Sequence, residues 1–206
     1  MSRSQTNPKA EIDDHLANRW SSRAFDPRRP IERERLLSCL EAARWAPSCF
    51  GDEPWRFIVA DRFSEDELDN WKNLLDCLTP KNREWAQHAP VLIMVCASTH
   101  FRQNDKPNRW GEYDTGQSAL SLCIQATSLG LSSHQMGGFD EDMARGHWGI
   151  PKEVQPMSII ALGYMGDDSV LPDTLREVES APRSRRPMSS LIFSDRWRTP
   201  YFRQED

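Results

Sequence analysis

The twenty residues from Gly111 to Gly130, GEYDTGQSALSLCIQATSLG, constrain the fold more than any other part of this 206-residue chain. Small and apolar side chains cover most of the helix circumference from Ala119 to Leu129. A helix of that kind has to be buried on several sides, and Gly130 stands where a left-handed C-terminal cap is needed. Just before it, Pro90–Ser98 is apolar on both faces and reads as a central strand. Arg56–Ala60, with Phe57, Ile58 and Val59 as β-formers, Leu131–Met136 and Met157–Tyr164 supply further strands. Helices are expected over Ile12–Asn18 and over Ile31–Trp45, the latter opened by Pro30, ended by Pro47 and carrying Leu36, Leu37, Leu40 and Ala43 at helical spacing. Ser64, with Glu67 at the capping-box position, is expected to start a third helix, and Asp140 to cap one that reaches Trp148. The pattern predicts a single α+β domain from residue 15, a small sheet covered by helices. Residues 1–14 are polar and read as a flexible N-terminus, and from Asp167 the chain reads as an extended, loop-like arm rich in charge and proline.

Charge and cysteine usage exclude several classes. A net charge of -5 and a pI near 5.6 argue against a nucleic-acid binder, whose affinity rests on excess lysine and arginine. The five cysteines (Cys39, Cys49, Cys77, Cys96, Cys123) are scattered, odd in number and without ligand spacing, so neither a disulfide framework nor a metal site is indicated. The longest strongly apolar run, Val91–Ala97, is too short to span a bilayer. The N-terminal MSRSQTNPKAEIDD has no apolar signal-peptide core, which points to the cytoplasm.

Against that acidic background, arginines are concentrated locally in Arg19-Trp20-Ser21-Ser22-Arg23-Ala24-Phe25-Asp26 and Arg183-Ser184-Arg185-Arg186-Pro187. Guanidinium groups meet a phosphate with paired, charge-assisted hydrogen bonds. Two such clusters, distant in sequence, could grip one phosphate from two sides: Arg19, Ser21 and Arg23 on one, Arg183 and Arg185 on the other. Either cluster alone reads equally as solvated surface charge. Arg186 alternates to the opposite face of an extended arm. Trp20 offers a backbone amide or a water shield, or else packs against the domain.

Two other segments bear on a ligand. Ala46–Trp55 is a loop punctuated by Pro47, Gly51 and Pro54, in which Pro47, Ser48 and Cys49 offer hydroxyl and backbone contacts. Cys49 has no histidine nearby in sequence to activate it and reads as a small filler. Gln135-Met136-Gly137-Gly138 joins a short strand to a capped helix, and its glycines would let backbone approach a flat ring. His134 adjoins that turn, whereas His147 beside Trp148 reads as a surface or packing residue.

Taken in chain order from Arg19 to Pro187, with the turn segment extended back through Leu129-Gly130-Leu131 to Asp114-Thr115-Gly116, these segments resemble the FMN-dependent nitroreductases. The resemblance implies that fold, a mostly antiparallel sheet flanked by helices, with the arm over 167–206 packing on a partner subunit. It implies a homodimer with FMN at the interface. Arg19, Trp20, Ser21, Arg23, Arg183 and Arg185 would hold the phosphate. Pro47, Ser48, Cys49, Gly51 and Glu53 would lie along the flavin, with Gln135, Met136, Gly137 and Gly138 at the ring and the Gly137 amide facing N5. Gly51 and Glu53 depart from the asparagine and glutamine common there. Gly51 can then serve only through its backbone, and the Glu53 carboxylate would disfavour an anionic reduced flavin. The activity implied is reduction of a small organic acceptor, nitroaromatic or quinone-like, by NADH or NADPH in a ping-pong hydride cycle with no dedicated catalytic side chain. A reductive dehalogenase or other specialised flavin enzyme of the same fold, a non-catalytic flavin-binding protein, and a phospholigand-regulated interaction protein remain open alternatives. The segment Thr79–Asn108, which would cover the substrate, carries no readable motif.

Overall fold

A computed structural model describes residues 8–202 of the chain. The expectation of a flexible N-terminus falls partly on residues 1–7, which lie outside the described residues, as do residues 203–206 at the end of the arm. The sheet has four strands, β1 (Trp55–Asp61), β2 (Val91–Ser98), β3 (Ser132–Met136) and β4 (Val154–Gly163), in the order β1-β2-β4-β3. Every neighbouring pair is antiparallel.

Alternation along the two central strands divides the core into two layers. Leu92, Met94 and Cys96 of β2, with Ile159 and Ala161 of β4, face Trp71, Leu74, Trp85 and Phe25. Val91, Ile93 and Val95, with Ile160 and Leu162, face Ala119, Leu122, Ala126, Cys39 and Ala43. Each fully buried leucine or isoleucine contributes roughly 1.5–3 kcal/mol of transfer free energy, which is why β2 carries almost no polar residue.

The helices are α1 (Asp14–Asn18), α2 (Arg33–Arg44), α3 (Leu68–Cys77), α4 (Pro80–Ala86), α5 (Gly111–Ser128), α6 (Glu141–Trp148) and α7 (Asp173–Ser180). The expected helix over Gly111–Gly130 is α5, and its end follows from Gly130 at φ +73°. There the Leu131 N–H donates to the Ala126 carbonyl at 2.8 Å and the Gly130 N–H to the Thr127 carbonyl at 3.0 Å, a Schellman closure. Small residues bring α5 against α2, where the Ser118 hydroxyl donates to the Ala43 carbonyl at 2.7 Å. Burial is not all round, however: Tyr113, Gly116 and Leu120 form an exposed stripe. Among the described residues, no helix is long and apolar enough to cross a membrane.

Two local expectations are corrected, and one helix appears that none foresaw. Helix α3 begins after Glu67 rather than at Ser64, because the Glu67 carboxylate accepts from the Asp61 N–H at 2.9 Å and holds residues 62–67 as turns. Helix α4 lies within the segment that showed no motif. The region after Asp167 is not all loop: α7 forms there, with Leu171 and Leu175 joining the core. The Asp140 cap holds as expected, its carboxylate accepting from the Met143 N–H at 2.9 Å.

Candidate functional site

Residues 21–26 run along the edge of the sheet. Ser21 bridges Ser133 of β3, the Gly166 N–H donates to the Ala24 carbonyl at 2.9 Å, and the Asp26 N–H donates to the Tyr164 carbonyl at 3.0 Å. Any side chain at position 166 would put its Cβ within 2.5 Å of the Phe25 carbonyl, so this close approach requires glycine. The arginine-bearing segment is therefore a fixed rail.

Against it comes the arm. The Arg183 guanidinium donates from Nη1 to the Arg19 carbonyl at 2.9 Å and from Nη2 to the Ala17 carbonyl at 2.7 Å. Its pKa is lowered by burial and then by the charges of Arg19 and Arg185. Three guanidiniums thus share one neighbourhood, and among the described residues no carboxylate forms an ion pair with any of them. The Arg183 Nε is buried without a hydrogen-bond partner. Like charges held together in this way favour occupation by an anion.

Arg23 differs from that trio in having a carboxylate beside it. Its guanidinium lies 3.7 Å from the Glu179 carboxylate and 6.0 Å from the Trp85 ring centre. Ser21 is exposed on the rail, whereas Ser22 is fully buried. The Trp20 indole packs beside Asn18, Thr127, Gly130, Leu131, Ser132 and Met165, around a cavity of about 40 Å³, and its Nε1 has no partner. Arg186 is exposed.

The turn after β3 borders the same region. His134 stacks on Trp85 at 4.5 Å between ring centres, and its Nδ1, protonated in the neutral ring, donates to the Ser22 carbonyl at 3.1 Å. Burial first, then the charges of Arg23 and Arg19, push its pKa down to about 4. Gln135 Nε2 reaches the Cys123 sulfur at 3.6 Å, Met136 is buried in the core, and Gly137 is exposed. The two glycines differ. A Cβ on Gly137 would meet nothing within 4 Å, whereas one on Gly138 would lie 2.9 Å from Asn82 Nδ2 and 3.2 Å from Thr79 Oγ1. Gly138 is thus glycine at least to admit α4. Its carbonyl accepts from the Thr79 N–H at 3.1 Å and from Asn82 Nδ2 at 3.0 Å.

The Pro47 loop is built elsewhere. Phe50, Gly51 and Glu53 have φ of 57°, 65° and 51°, left-handed values that cost non-glycine residues energy. The loop is held by the Cys49 N–H donating to Asp114 at 2.8 Å and by the Glu53 N–H donating to the Ser48 hydroxyl at 3.0 Å. Buried Asp52 accepts from the Arg102 N–H at 2.9 Å and from Asn108 Nδ2 at 3.2 Å. Pro47, Gly51 and Glu53 are exposed and Ser48 and Cys49 half-buried. This loop sits at the first turns of α5, whereas Trp20 packs at the opposite end, beside Thr127 and Gly130. At 1.5 Å rise per residue, Asp114 and Thr127 are about 20 Å apart along the helix. Within one chain the loop and the clamp do not converge.

Sequence reading missed Glu179 and Asn82. Each is a lone polar residue whose side-chain partners lie more than fifty positions away, and no local spacing marks it.

The Nitroreductase family profile matches residues 16–164. A Mycolicibacterium smegmatis protein described as an uncharacterized 15.4 kDa protein is 32% identical over 148 residues, covering 70% of this chain and 99% of its own. A Methanothermobacter thermautotrophicus protein with the provisional name NADH dehydrogenase/NAD(P)H nitroreductase is 27% identical, over 78% of this chain and 80% of its own. A solved structure described as an oxidoreductase containing FMN superposes with a TM-score of 0.86 at 35% identity, covering 96% of this chain and 98% of the other. A nitroreductase family protein from Clostridium difficile 630 shares the fold at 23% identity and a TM-score of 0.67, over 91% of this chain and all of its own.

Proposed function

The chain belongs to the nitroreductase family, and from that premise we propose that it is an FMN-dependent oxidoreductase of the cytoplasm. It uses NADH or NADPH to reduce a small organic acceptor, nitroaromatic or quinone-like. One observation carries the cofactor assignment: Arg183 is bonded to the Arg19 backbone and feels the charges of Arg19 and Arg185, and among the described residues no carboxylate is paired with any of the three. A phosphate monoester matches that donor set, with close to two negative charges and three acceptor oxygens. The open space beside Gly137 suits the close approach of a flat ring.

FMN, when bound, supplies the hydride chemistry; the protein supplies position, charge and exclusion of water. Arg19, Arg183 and Arg185 hold the phosphate, with Ser21 and Arg23 beside them on the rail. The Gly137 amide, next to the held Gly138 carbonyl, would face the ring. His134 stays neutral near neutral pH and so adds no third charge between Arg19 and Arg23. Donor and acceptor use the same cleft in turn, which is the ping-pong order.

The remaining half of the site comes from a second copy. The Pro47–Glu53 loop lies at the far end of α5 from the clamp, and the stripe Tyr113, Gly116 and Leu120 runs exposed along the helix between them, continued by exposed Trp45 and Phe50. A two-fold dimer packed on that stripe would carry each loop toward the partner's clamp. The arm beyond residue 181, mostly exposed and bearing Leu191, Trp197 and Tyr201, adds to the same interface.

The test is an absorbance spectrum of the purified protein, followed by anaerobic titration with each nicotinamide and a light-scattering mass. A yellow dimer that bleaches with NADH or NADPH is expected. A colourless protein that takes up no added FMN would overturn the cofactor assignment, and a yellow one that never bleaches would mark a flavin carrier instead.

A further inference from the structure

We propose that Glu179 is a positioning residue for the phosphate clamp: from α7 it fixes the backbone of residues 22–24 and aims the Arg23 guanidinium. This assignment rests on the phosphate reading of the clamp.

Glu179 is 7% exposed and lies in the last turn of α7, 157 positions from Ser22. One carboxylate oxygen accepts from the Ser22 hydroxyl at 2.7 Å, the Arg23 N–H at 2.9 Å and the Ala24 N–H at 3.3 Å. The other lies 3.1 Å from the Arg23 N–H and 3.7 Å from the Arg23 Nη1. A buried carboxylate is stable only when its oxygens are satisfied in this way, so the contact is a built feature rather than a surface encounter. Its partners Ser22, Arg23 and Ala24 follow directly on the proposed phosphate contact Ser21 and include the second, Arg23, and the Ser22 carbonyl is in turn held by His134.

Two effects of the carboxylate on an anion oppose each other. Its negative charge weakens the field at Arg23, but its hydrogen bonds remove the freedom of the rail and of a long side chain that would otherwise be solvated. Bidentate recognition depends on a fixed fork, and outer-layer partners that orient primary contacts typically matter by 10–100-fold where this has been measured at metal sites. Orientation therefore outweighs the lost field. The arm that carries Glu179 continues within four residues to Arg183, so one segment closes both sides of the clamp.

The experiment compares FMN with riboflavin, which differ only in the phosphate, by fluorescence titration of the full-length apoprotein. E179Q keeps the size of the side chain but turns an amide donor toward Arg23. It is expected to weaken FMN binding by about tenfold while riboflavin binding changes less than twofold. S22A, a milder variant that removes one donor to Glu179, is expected to weaken FMN two- to fivefold, again without moving riboflavin. Equal losses for both flavins, or no loss for either in both variants, would overturn the positioning role. If E179Q fails to fold, S22A alone decides between these results. If the wild-type protein binds FMN no better than riboflavin, the phosphate reading itself falls, and this inference falls with it.

Discussion

The backbone N–H of Cys49 donates to the Asp114 carboxylate at 2.8 Å, tying the Pro47 loop to the first turns of α5. Asp114 is buried and its other oxygen accepts from Gln117 Nε2 at 3.3 Å. Asp114→Ala leaves the Cys49 N–H without that acceptor, in a loop already held at unfavourable φ. A hydrogen bond to a charged group is worth about 1.5–3 kcal/mol, so urea unfolding should show a loss of about 2 kcal/mol. Asp114→Asn, which keeps an acceptor, should lose less than half of that. Equal losses would mean that the acceptor is not what holds the loop.

His134 sets a pH dependence of stability. Its pKa in the folded chain is about 4, pushed down by burial and then by Arg23 and Arg19, against about 6.5 when unfolded. Below pH 6.5 the unfolded chain binds a proton that the folded chain refuses, so stability falls as pH falls toward 4; above 6.5 the group contributes no slope. Between pH 7 and pH 5 the wild-type protein should lose about 2 kcal/mol more than His134→Gln in urea unfolding. Parallel losses in both proteins would assign the acid sensitivity to other groups.

The two glycines of the Gly137-Gly138 turn should respond in opposite ways. Neither has a positive φ, so only space decides. Gly138→Ala drives a Cβ against Asn82 and Thr79, and overpacking of this kind costs about 1–3 kcal/mol. Gly137→Ala meets open space in the chain, so the melting temperature should hold within a degree or two while flavin affinity falls at least fivefold. Unchanged flavin binding in Gly137→Ala would remove this turn from the ring site.

How legible the fold was depended on repetition. Helix α5 and strand β2 were readable because burial on several sides leaves a run of small or apolar residues many positions long, and Gly130 marked the helix end through its left-handed φ. Helix α4, PKNREWA, is too short and polar to show a period, yet Trp85 and Ala86 bury it. Helix α7 looked like charged arm because Leu175 is its one apolar side chain in the core. In the site, the arginines were visible through an unusual local density of one residue type. Glu179 was not, since a single acid in an acidic chain gains its meaning only from partners that the fold brings to it.

Glu53 offers a redox test of the loop. It is exposed at φ 51°, held by its own N–H on Ser48. If its carboxylate reaches the flavin, it opposes the negative charge of the reduced ring. Glu53→Gln should then raise the two-electron midpoint potential by about 30 mV, the equivalent of a tenfold change in equilibrium. An unmoved potential would place Glu53 in solvent rather than at the ring.

Arg183 joins the arm to the rail through two main-chain carbonyls while facing the charges of Arg19 and Arg185. Those two roles separate by substitution. Arg183→Lys keeps the charge but loses the planar fork that spans the Ala17 and Arg19 carbonyls; Arg183→Ala loses both. If Arg183 serves the phosphate, Arg183→Ala should weaken FMN by about 30–100-fold, on the scale of one or two strong charge-assisted bonds, with riboflavin affinity within twofold of wild type. Arg183→Lys should recover no more than half of that loss in free energy. The FMN affinity of the wild-type protein should also fall more steeply with added salt than that of Arg183→Ala, because screening acts on a charge the variant lacks. A matched loss of FMN and riboflavin in Arg183→Ala would instead make this residue a brace for residues 17–19, leaving Arg19 and Arg185 as the groups that meet the anion.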